Sequence, residues 1–276
     1  MPIKITTLIE NNPGEHKALI HEHGLSFLVE TNNARILFDT GQSGAFLTNA
    51  GRLNLDIKRL DSVVISHGHY DHSGGFRDLT KLTTRFSLFL GQGFFMEKYA
   101  QRNSGTEFLG SNFDEAFVSA KGIGCRFVHE PILEIARGVF ILSGFERVFE
   151  DETINPRFKI LKQGQFIQDS FDDEIVLALD SPQGMVVLLG CSHPGMKNIL
   201  DAVVRRAGRP VYAVLGGTHL VESSGEGLDA SLEYLNRDTL HVVGLSHCTG
   251  QTAMERLAVS NHNYFQNRTG SSLFIN

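Results

Sequence analysis

Short apolar runs separated by polar turns characterise the N-terminal part of the chain. Segments 3–10, 25–30 and 35–40 are rich in β-branched and aromatic residues, which is typical of strands. Segment 60–67 contains the β-branched run Val-Val-Ile and predicts a buried strand, whereas the spacing of apolar residues over 74–82 predicts a helix. The first third of the chain is therefore expected to consist mainly of strands.

From residue 174 onward, strand patterns and helix patterns alternate. Strand patterns occupy 174–180, 185–190, 211–217, 241–247 and 271–275, and helix patterns occupy 196–208, 228–236 and 251–258. Strands that alternate with helices form sheets covered by helices on at least one face. Two strand-rich halves in one chain thus predict an α/β fold in which two sheets pack face to face with helices outside.

The part of the chain between these two regions, about 93–170, has a less regular pattern. It follows a strand pattern at 85–90 and contains helix patterns at 94–101 and 113–120 and strand patterns at 125–130 and 138–144. We expect inserted or peripheral structure here. Because no linker rich in proline, glycine and serine divides the chain, a single domain over 1–276 is predicted.

The composition narrows the class of protein. The chain has 25 Lys and Arg residues and 31 Asp and Glu residues, which gives a formal charge of −6. This charge argues against sequence-independent binding to nucleic acid. The three cysteines are widely spaced and imply no disulfide framework, and the longest apolar runs are too short to span a membrane. The start of the chain lacks the apolar core of a signal peptide. We expect a soluble cytoplasmic protein that acts on a small molecule, without nucleic acid or membrane partners.

The densest group of candidate metal ligands follows the predicted strand 60–67. His67 and His69 are two residues apart, so on an extended backbone they point to the same side. Asp71 and His72 turn toward the same space as the chain enters the predicted helix. Imidazole and carboxylate groups bind zinc, and they also suit iron or manganese. The spacing predicts a metal site; the alternative interpretation is a turn that carries surface histidines.

Four later residues share one position in the predicted fold. Cys191, His193, His219 and His247 each lie at or just beyond the end of a predicted strand. Neighbouring strands deliver such residues to one edge of a sheet, which is where binding sites form. His193 is interpreted as a ligand or a ligand-supporting residue, and His219 as a ligand or a substrate contact. For His247, the alternative to a ligand is a buried, hydrogen-bonded histidine.

The run His67-x-His69-x-Asp71-His72 after a strand resembles the metallo-β-lactamase superfamily. Segment 36–41 is similar to the early strand of that family, which ends in a supporting aspartate, here Asp39. Further runs resemble one subgroup of metal-dependent hydrolases, which includes the archaeal dihydropterin–ribofuranosylaminobenzene-phosphate synthase; these runs are 23–26, 190–195, 216–220 and 247–250. The resemblance implies a four-layer αβ/βα sandwich with one or two bound metal ions, of which zinc is expected and iron or manganese are alternatives.

The chain departs from the superfamily pattern at two positions. The usual third histidine would follow segment 138–144, where none is present, so we assign that role to His193. The usual bridging aspartate would follow segment 185–190, where Cys191 stands instead. Cys191 is interpreted either as a thiolate ligand or as a small apolar residue that closes the strand.

The resemblance implies a hydrolase that cleaves a small ester, lactone, amide or phosphate through a metal-bound hydroxide. Asp71 would orient the hydroxide and act as general base, and Asp39 would hold a ligand imidazole. Arg147 could contact an anionic substrate, although a surface salt bridge is the alternative. Three other functions remain open: a pterin-linked transferase in which the metal stabilises a diphosphate leaving group, oxygen or nitric oxide reduction at a di-iron site, and a metal-binding scaffold without catalysis.

Overall fold

The computed structural model describes residues 2–276, and the strands are numbered along the chain. They are β1 (Ile3–Ile9), β2 (Ser26–Thr31), β3 (Arg35–Phe38), β4 (Ser62–Val64), β5 (Ser87–Gly91), β6 (Lys98–Arg102), β7 (Gly105–Phe108), β8 (Gly124–Val128), β9 (Ile132–Ala136), β10 (Val139–Ser143), β11 (Phe158–Lys162), β12 (Gln165–Gln168), β13 (Ile175–Ser181), β14 (Gly184–Leu189), β15 (Val211–Gly216), β16 (Val242–Leu245) and β17 (Ser272–Ile275).

The helices are α1 (Ala45–Arg52), α2 (Tyr70–Ser73), α3 (Phe76–Leu82), α4 (Glu115–Ala120), α5 (Met196–Ala207), α6 (Gly225–Leu235) and α7 (Gln251–Ser260). Short 3₁₀ turns cover Leu220–Glu222 and His247–Thr249. Within residues 2–276, the helices are all too short or too polar to cross a membrane.

Two large mixed sheets pack face to face. One has seven strands in the order β17-β1-β2-β3-β4-β5-β8, and the other has six in the order β16-β15-β14-β13-β10-β9. Their facing sides form one core, in which Phe27 and Phe38 of the first sheet join Leu177 and Leu188 of the second, all fully buried. Burying these side chains contributes roughly 1.5–3 kcal/mol for each. The predicted face-to-face arrangement of two sheets is therefore confirmed.

Helices cover the outer face of each large sheet. The seven-stranded sheet packs against α1, α3 and α4, with Phe46 and Phe76 among the buried contacts. The six-stranded sheet packs against α5, α6 and α7, with Ile199, Leu232 and Leu257 in the core. The order helix, sheet, sheet, helix is the predicted four-layer αβ/βα sandwich.

The segment 93–170 contributes to all three sheets of the protein. Strand β8 ends the seven-stranded sheet, β9 and β10 belong to the six-stranded sheet, and a separate sheet has the order β12-β11-β6-β7. The predicted helix over 94–101 is wrong, because Lys98–Arg102 forms a strand. Strand β6 pairs with β11, about sixty residues later, in the register Phe158 to Ala100. This long-range pairing outweighs the local helical pattern.

The carboxyl ends of the parallel strands define the functional edge of the sandwich. Strands β3 and β4 run parallel in one sheet, and β14, β15 and β16 run parallel in the other. The segments that follow these five strands contain, in the same order, Asp39, His67, Cys191, His219 and His247. Candidate residues that are far apart in the sequence are thus delivered to one place.

Candidate metal centre

Three buried imidazoles converge where the two large sheets meet. The ligand nitrogens of His67, His69 and His193 lie within 4.8 Å of one another. Among residues 2–276, the Nε2 atoms of all three have no hydrogen-bond partner. Burial is the main cause that holds the pKa of each ring well below its usual value, so the rings are neutral. Buried polar atoms without partners are rare in native proteins, and three that converge fit a metal ion.

The loop that carries His67 and His69 is fixed by close backbone contacts. The amide of Gly68 donates a hydrogen bond of 2.8 Å to Asp173 Oδ2. A Cβ atom at residue 68 would lie 2.4 Å from the carbonyl oxygen of Phe94, so only glycine fits. The backbone between the two histidines is therefore held against Asp173 and the carbonyl oxygen of Phe94.

A second group of donor atoms lies beside the three histidines. His72 Nε2 lies 3.2 Å from Cys191 Sγ and 3.2 Å from His247 Nε2. Asp71 Oδ2 lies 3.3 Å from His247 Nε2 and 3.8 Å from His72 Nε2. The structure thus brings together all seven residues for which the sequence predicted a role as metal ligand, in two adjacent groups.

Asp39 orients His72. Its Oδ2 accepts a hydrogen bond of 2.6 Å from His72 Nδ1, and its carboxylate also accepts bonds from the amide and hydroxyl of Ser66. This contact directs His72 Nε2 toward the ligand group, which is how carboxylates support metal-bound histidines. Burial lowers the pKa of His72, but the carboxylates of Asp39 and Asp71 outweigh it and raise this pKa to about 9. A metal bound at Nε2 would replace this proton.

Asp71 is buried among imidazoles. Burial raises the pKa of its carboxyl, but the charge of His72 and hydrogen bonds from His23 and His247 hold it well below the usual range. The Nε2 atom of His23 lies 3.1 Å from Asp71 Oδ2, and the hydrogen bond raises the pKa of His23. His23 belongs to a run that resembles the family, but no role was predicted for it from the sequence. In the structure it contacts Asp71, the predicted general base.

Both cysteines near the edge contribute sulfur atoms to the same group. Cys191 is buried, and burial raises the pKa of its thiol well above the usual value. Cys248 is partly buried, and burial would raise its pKa, but a hydrogen bond with Cys191 and nearby imidazoles lower it to about 5. The ligand atoms of Cys191, His247 and Cys248 lie within 4.8 Å of one another.

The two predicted substrate contacts lie in different cavities. His219 lines a cavity of about 490 Å³ together with His193, and the centroids of the two rings are 4.4 Å apart. Arg147 lines another cavity, of about 610 Å³, and donates a hydrogen bond to the carbonyl oxygen of Ser170. Of the two residues, only His219 therefore adjoins the candidate ligands.

The loop over 169–174 supports the three histidines, although no functional role was predicted for it from the sequence. Glu174 accepts hydrogen bonds from the amides of Ser192 and His193, at 2.5 and 2.9 Å, and burial is the main cause that raises its pKa to about 8. Phe171 stacks on the His193 ring with centroids 3.8 Å apart. Asp173, which holds Gly68, also forms an ion pair with the buried Lys98. An acidic segment before a buried strand was the available signal, but such segments usually face solvent.

Two N-terminal residues that the sequence analysis also missed fix His247. Glu10 accepts a hydrogen bond of 2.7 Å from the His247 amide. The side-chain oxygen of Asn11 lies 2.9 Å from His247 Nδ1. These contacts direct His247 Nε2 toward Asp71.

Comparison with known proteins assigns the family. The sequence profile of the metallo-β-lactamase superfamily matches residues 21–84. The chain is 31% identical over 265 residues to 7,8-dihydropterin-6-methyl-4-(beta-D-ribofuranosyl)-aminobenzene-5'-phosphate synthase of Methanocaldococcus jannaschii, with 90% of this chain and 88% of the synthase covered. The chain belongs to the metallo-β-lactamase superfamily, in the group that contains this synthase.

Two further relatives match almost the whole chain. An uncharacterised protein of the same archaeon is 28% identical over 259 residues, with 94% of this chain and 95% of that protein covered. The crystal structure of Tm1679, a metal-dependent hydrolase of the β-lactamase superfamily, superposes with a TM-score of 0.85 at 29% identity and covers 98% of both chains. The superfamily fold implies binding of a divalent metal, and the named relatives are a synthase and a hydrolase.

Proposed function

We propose that this protein is a metal-dependent hydrolase that cleaves a small ester, lactone, amide or phosphate. The observation that carries the proposal is the convergence of three neutral, buried and unpartnered Nε2 atoms, those of His67, His69 and His193, among residues 2–276. Three protein ligands and an open position are typical of a catalytic zinc site. Zinc is the proposed metal, with iron and manganese as alternatives that also accept imidazole ligands.

The neighbouring group offers donors for a second metal ion. His72 Nε2 contacts both Cys191 Sγ and His247 Nε2, and Asp71 Oδ2 lies 3.3 Å from His247 Nε2. A divalent metal polarises a carbonyl or phosphoryl oxygen and makes water more acidic. Asp71 is ionised and contacts His72 and His247 of this group, and in the proposed reaction it orients water and accepts its proton. Asp39 keeps His72 in the orientation that this arrangement needs.

The cavity beside His193 and His219 is the proposed place of the substrate. Its volume of about 490 Å³ suits a small molecule, and Phe158 supplies an apolar wall. Ser192 and Thr218 line the same cavity, but their hydroxyls already donate to the carbonyl oxygen of Gly217 and to Thr249 Oγ1. A substrate in this cavity would contact His193, one of the three histidines.

Elemental analysis of protein purified without added metal, followed by a substrate panel on that protein, tests the proposal. We expect a bound divalent metal and turnover of at least one ester, lactone, amide or phosphate class. Full metal occupancy without turnover of any class would favour a metal-binding scaffold and contradict the hydrolase proposal.

A transferase is the second candidate, because the 31% identical relative is a synthase matched over 90% of this chain. Such an enzyme would join a dihydropterin diphosphate to an aminobenzene ribosyl phosphate and release diphosphate, and His219 or the metal could stabilise that leaving group. Reaction in ¹⁸O-labelled water separates the candidates. Incorporation of label into the product supports hydrolysis, whereas release of diphosphate without label supports transfer.

A further inference from the structure

The ammonium group of Lys98 is buried close to the three histidines. Lys98 lies on β6 and is 2% exposed. Its Nζ atom donates hydrogen bonds of 2.7 Å to Asp169 Oδ2 and 2.8 Å to Asp173 Oδ1. Burying charged groups is costly, and replacing a buried ion pair by apolar residues is often neutral or stabilising. The stability of the fold alone therefore gives little reason to place three charged groups here.

Each of the two carboxylates uses its other oxygen to hold a backbone amide next to a candidate ligand. Asp173 Oδ2 accepts a hydrogen bond of 2.8 Å from the amide of Gly68, which separates the two histidines that follow β4. Asp169 Oδ1 accepts a hydrogen bond of 2.8 Å from the amide of Phe171. Lys98 thus joins two carboxylates that fix the backbone of two separate loops.

Phe171 is the contact between this ion triad and His193. The φ angle of Phe171 is +54°, a conformation that residues other than glycine rarely adopt. Its ring stacks on the His193 imidazole with centroids 3.8 Å apart and an interplanar angle of 12°, and Lys98 Nζ lies 4.7 Å from the centre of the same ring. A strained backbone persists only where its surroundings hold it, and the hydrogen bond to Asp169 is one such restraint.

We propose that Lys98 is a positioning residue for the three-histidine site. One of its carboxylate partners holds the loop after β4, and the other holds the phenylalanine that packs on the histidine after β14. The ammonium therefore fixes the histidines of one large sheet relative to the histidine of the other. The inference rests on the proposed function, because it concerns histidines that are proposed to bind a metal.

Substitution of Lys98 tests the inference with readouts other than activity. Lys98→Met removes the ammonium but keeps most of the side-chain length, whereas Lys98→Arg keeps the charge. Zinc affinity is measured by competition with a chromophoric chelator, and the visible d–d absorption is recorded after loading with Co²⁺. The bands that are absent in His193→Ala report the three-histidine position. Asp169→Asn repeats the test if Lys98→Met fails to fold.

We expect Lys98→Met to weaken zinc binding at this position by about 10–100-fold, as when a group that orients metal-bound histidines is removed. The cobalt bands of the position should shift, because they depend on the geometry of the ligands. Lys98→Arg should bind zinc more tightly than Lys98→Met. In metal-saturated Lys98→Met, kcat should fall while KM changes little, since Lys98 does not line the cavity beside His193.

Two control variants separate positioning from a general loss of stability. Lys197→Met removes another buried ammonium, which is 3% exposed and pairs with Asp151. Leu257→Ala removes a fully buried core side chain on α7 and destabilises the fold away from the histidines. Both variants should keep the zinc affinity and the cobalt spectrum of the wild type.

Three results would overturn the inference. They are wild-type zinc affinity and cobalt bands in folded Lys98→Met, equal zinc affinities of Lys98→Met and Lys98→Arg, and a loss of the same size in either control variant. If the wild-type protein binds neither zinc nor cobalt, the proposed function itself fails. The two failures are therefore distinguishable.

Discussion

At the scale of single residues, the three buried imidazoles whose Nε2 atoms lack hydrogen-bond partners carry an energetic cost. A buried polar atom without a partner costs roughly 1–3 kcal/mol, and His67, His69 and His193 each carry one. Because burial keeps these rings neutral, their lone pairs are available to a metal without prior loss of a proton. A bound metal ion would offset this cost.

Replacing any one of these histidines by alanine should remove the metal of the three-histidine position and abolish activity. The loss of one ring leaves two imidazoles, which bind a divalent ion too weakly. Metal content after gel filtration and turnover with the best substrate are the measurements. His241→Ala is the control, because His241 is exposed and packs on Tyr212. Full metal content in His193→Ala would show that His193 is not the third ligand.

Asp71→Asn should separate metal binding from catalysis. The amide keeps the size of the carboxylate but cannot accept a proton, so the rate should fall by about 10²–10⁴. The three histidines keep their metal because Asp71 lies outside their group. Steady-state kinetics and elemental analysis of the same sample check both parts. Wild-type turnover in this variant would remove Asp71 from the mechanism.

At the scale of elements, the turn between β14 and α5 is held by carboxylates. Glu174 binds the amides of Ser192 and His193, while Glu152 accepts hydrogen bonds from the amides of Lys197 and Asn198 in the first turn of α5. Amides at a helix start lack partners within the helix, and a carboxylate there also interacts favourably with the helix dipole. Both carboxylates thereby fix the backbone on either side of His193.

Glu152 should make stability depend on pH. Burial is the main cause that raises its pKa from 4.5 to about 7, so its contribution to stability is fully present below pH 4.5 and is lost as the pH rises through about 7. At 1.36 kcal/mol for each pKa unit, the loss is up to about 3 kcal/mol. Glu152→Gln cannot titrate, so the variant should lose less stability than the wild type over this range.

Denaturant unfolding at pH 4.5, 6 and 8 measures this difference, because groups that titrate in both proteins cancel in the comparison. Glu226→Gln serves as the control, since Glu226 is exposed in the first turn of α6. Parallel stability curves for the wild type and Glu152→Gln would contradict the expectation.

At the scale of the whole molecule, the candidate metal would join the two large sheets. His67 and His69 follow β4 of one sheet, and His193 follows β14 of the other. A metal held by all three binds only when both sheets are packed together. Binding to the folded state alone stabilises a protein in proportion to the logarithm of free ligand concentration.

Removal of metal with a chelator should therefore lower Tm. At a free metal concentration 100 times Kd the stabilisation is about 2.7 kcal/mol, and each kcal/mol shifts Tm by about 2–4 °C in domains approaching this size. We expect a fall of about 5–10 °C, reversed by added zinc, in scanning calorimetry. His67→Ala, which lacks a ligand, should respond much less. An unchanged wild-type Tm would indicate that no metal joins the sheets.

The local sequence pattern was sufficient to predict much of the fold and the central residues of the site. The strands around Phe27 and Leu188 and the helix that begins at Met196 follow from periodic burial within a single segment. His67, His69, Asp71 and His72 could be grouped because they lie within six residues and share one turn. In each case the relevant spacing is set by the geometry of one strand or helix.

The tertiary structure determined the features that depend on contacts between distant segments of the chain. Lys98 lies in a strand because β11 pairs with it, although its own neighbours favour a helix. Glu174, Cys248 and His193 join the site only because β13 begins, and β14 and β16 end, at one edge of a packed sheet. Periodicity reports which face of an element is buried. It does not report which elements become neighbours, because that is determined by pairing and packing between segments that are far apart in the sequence.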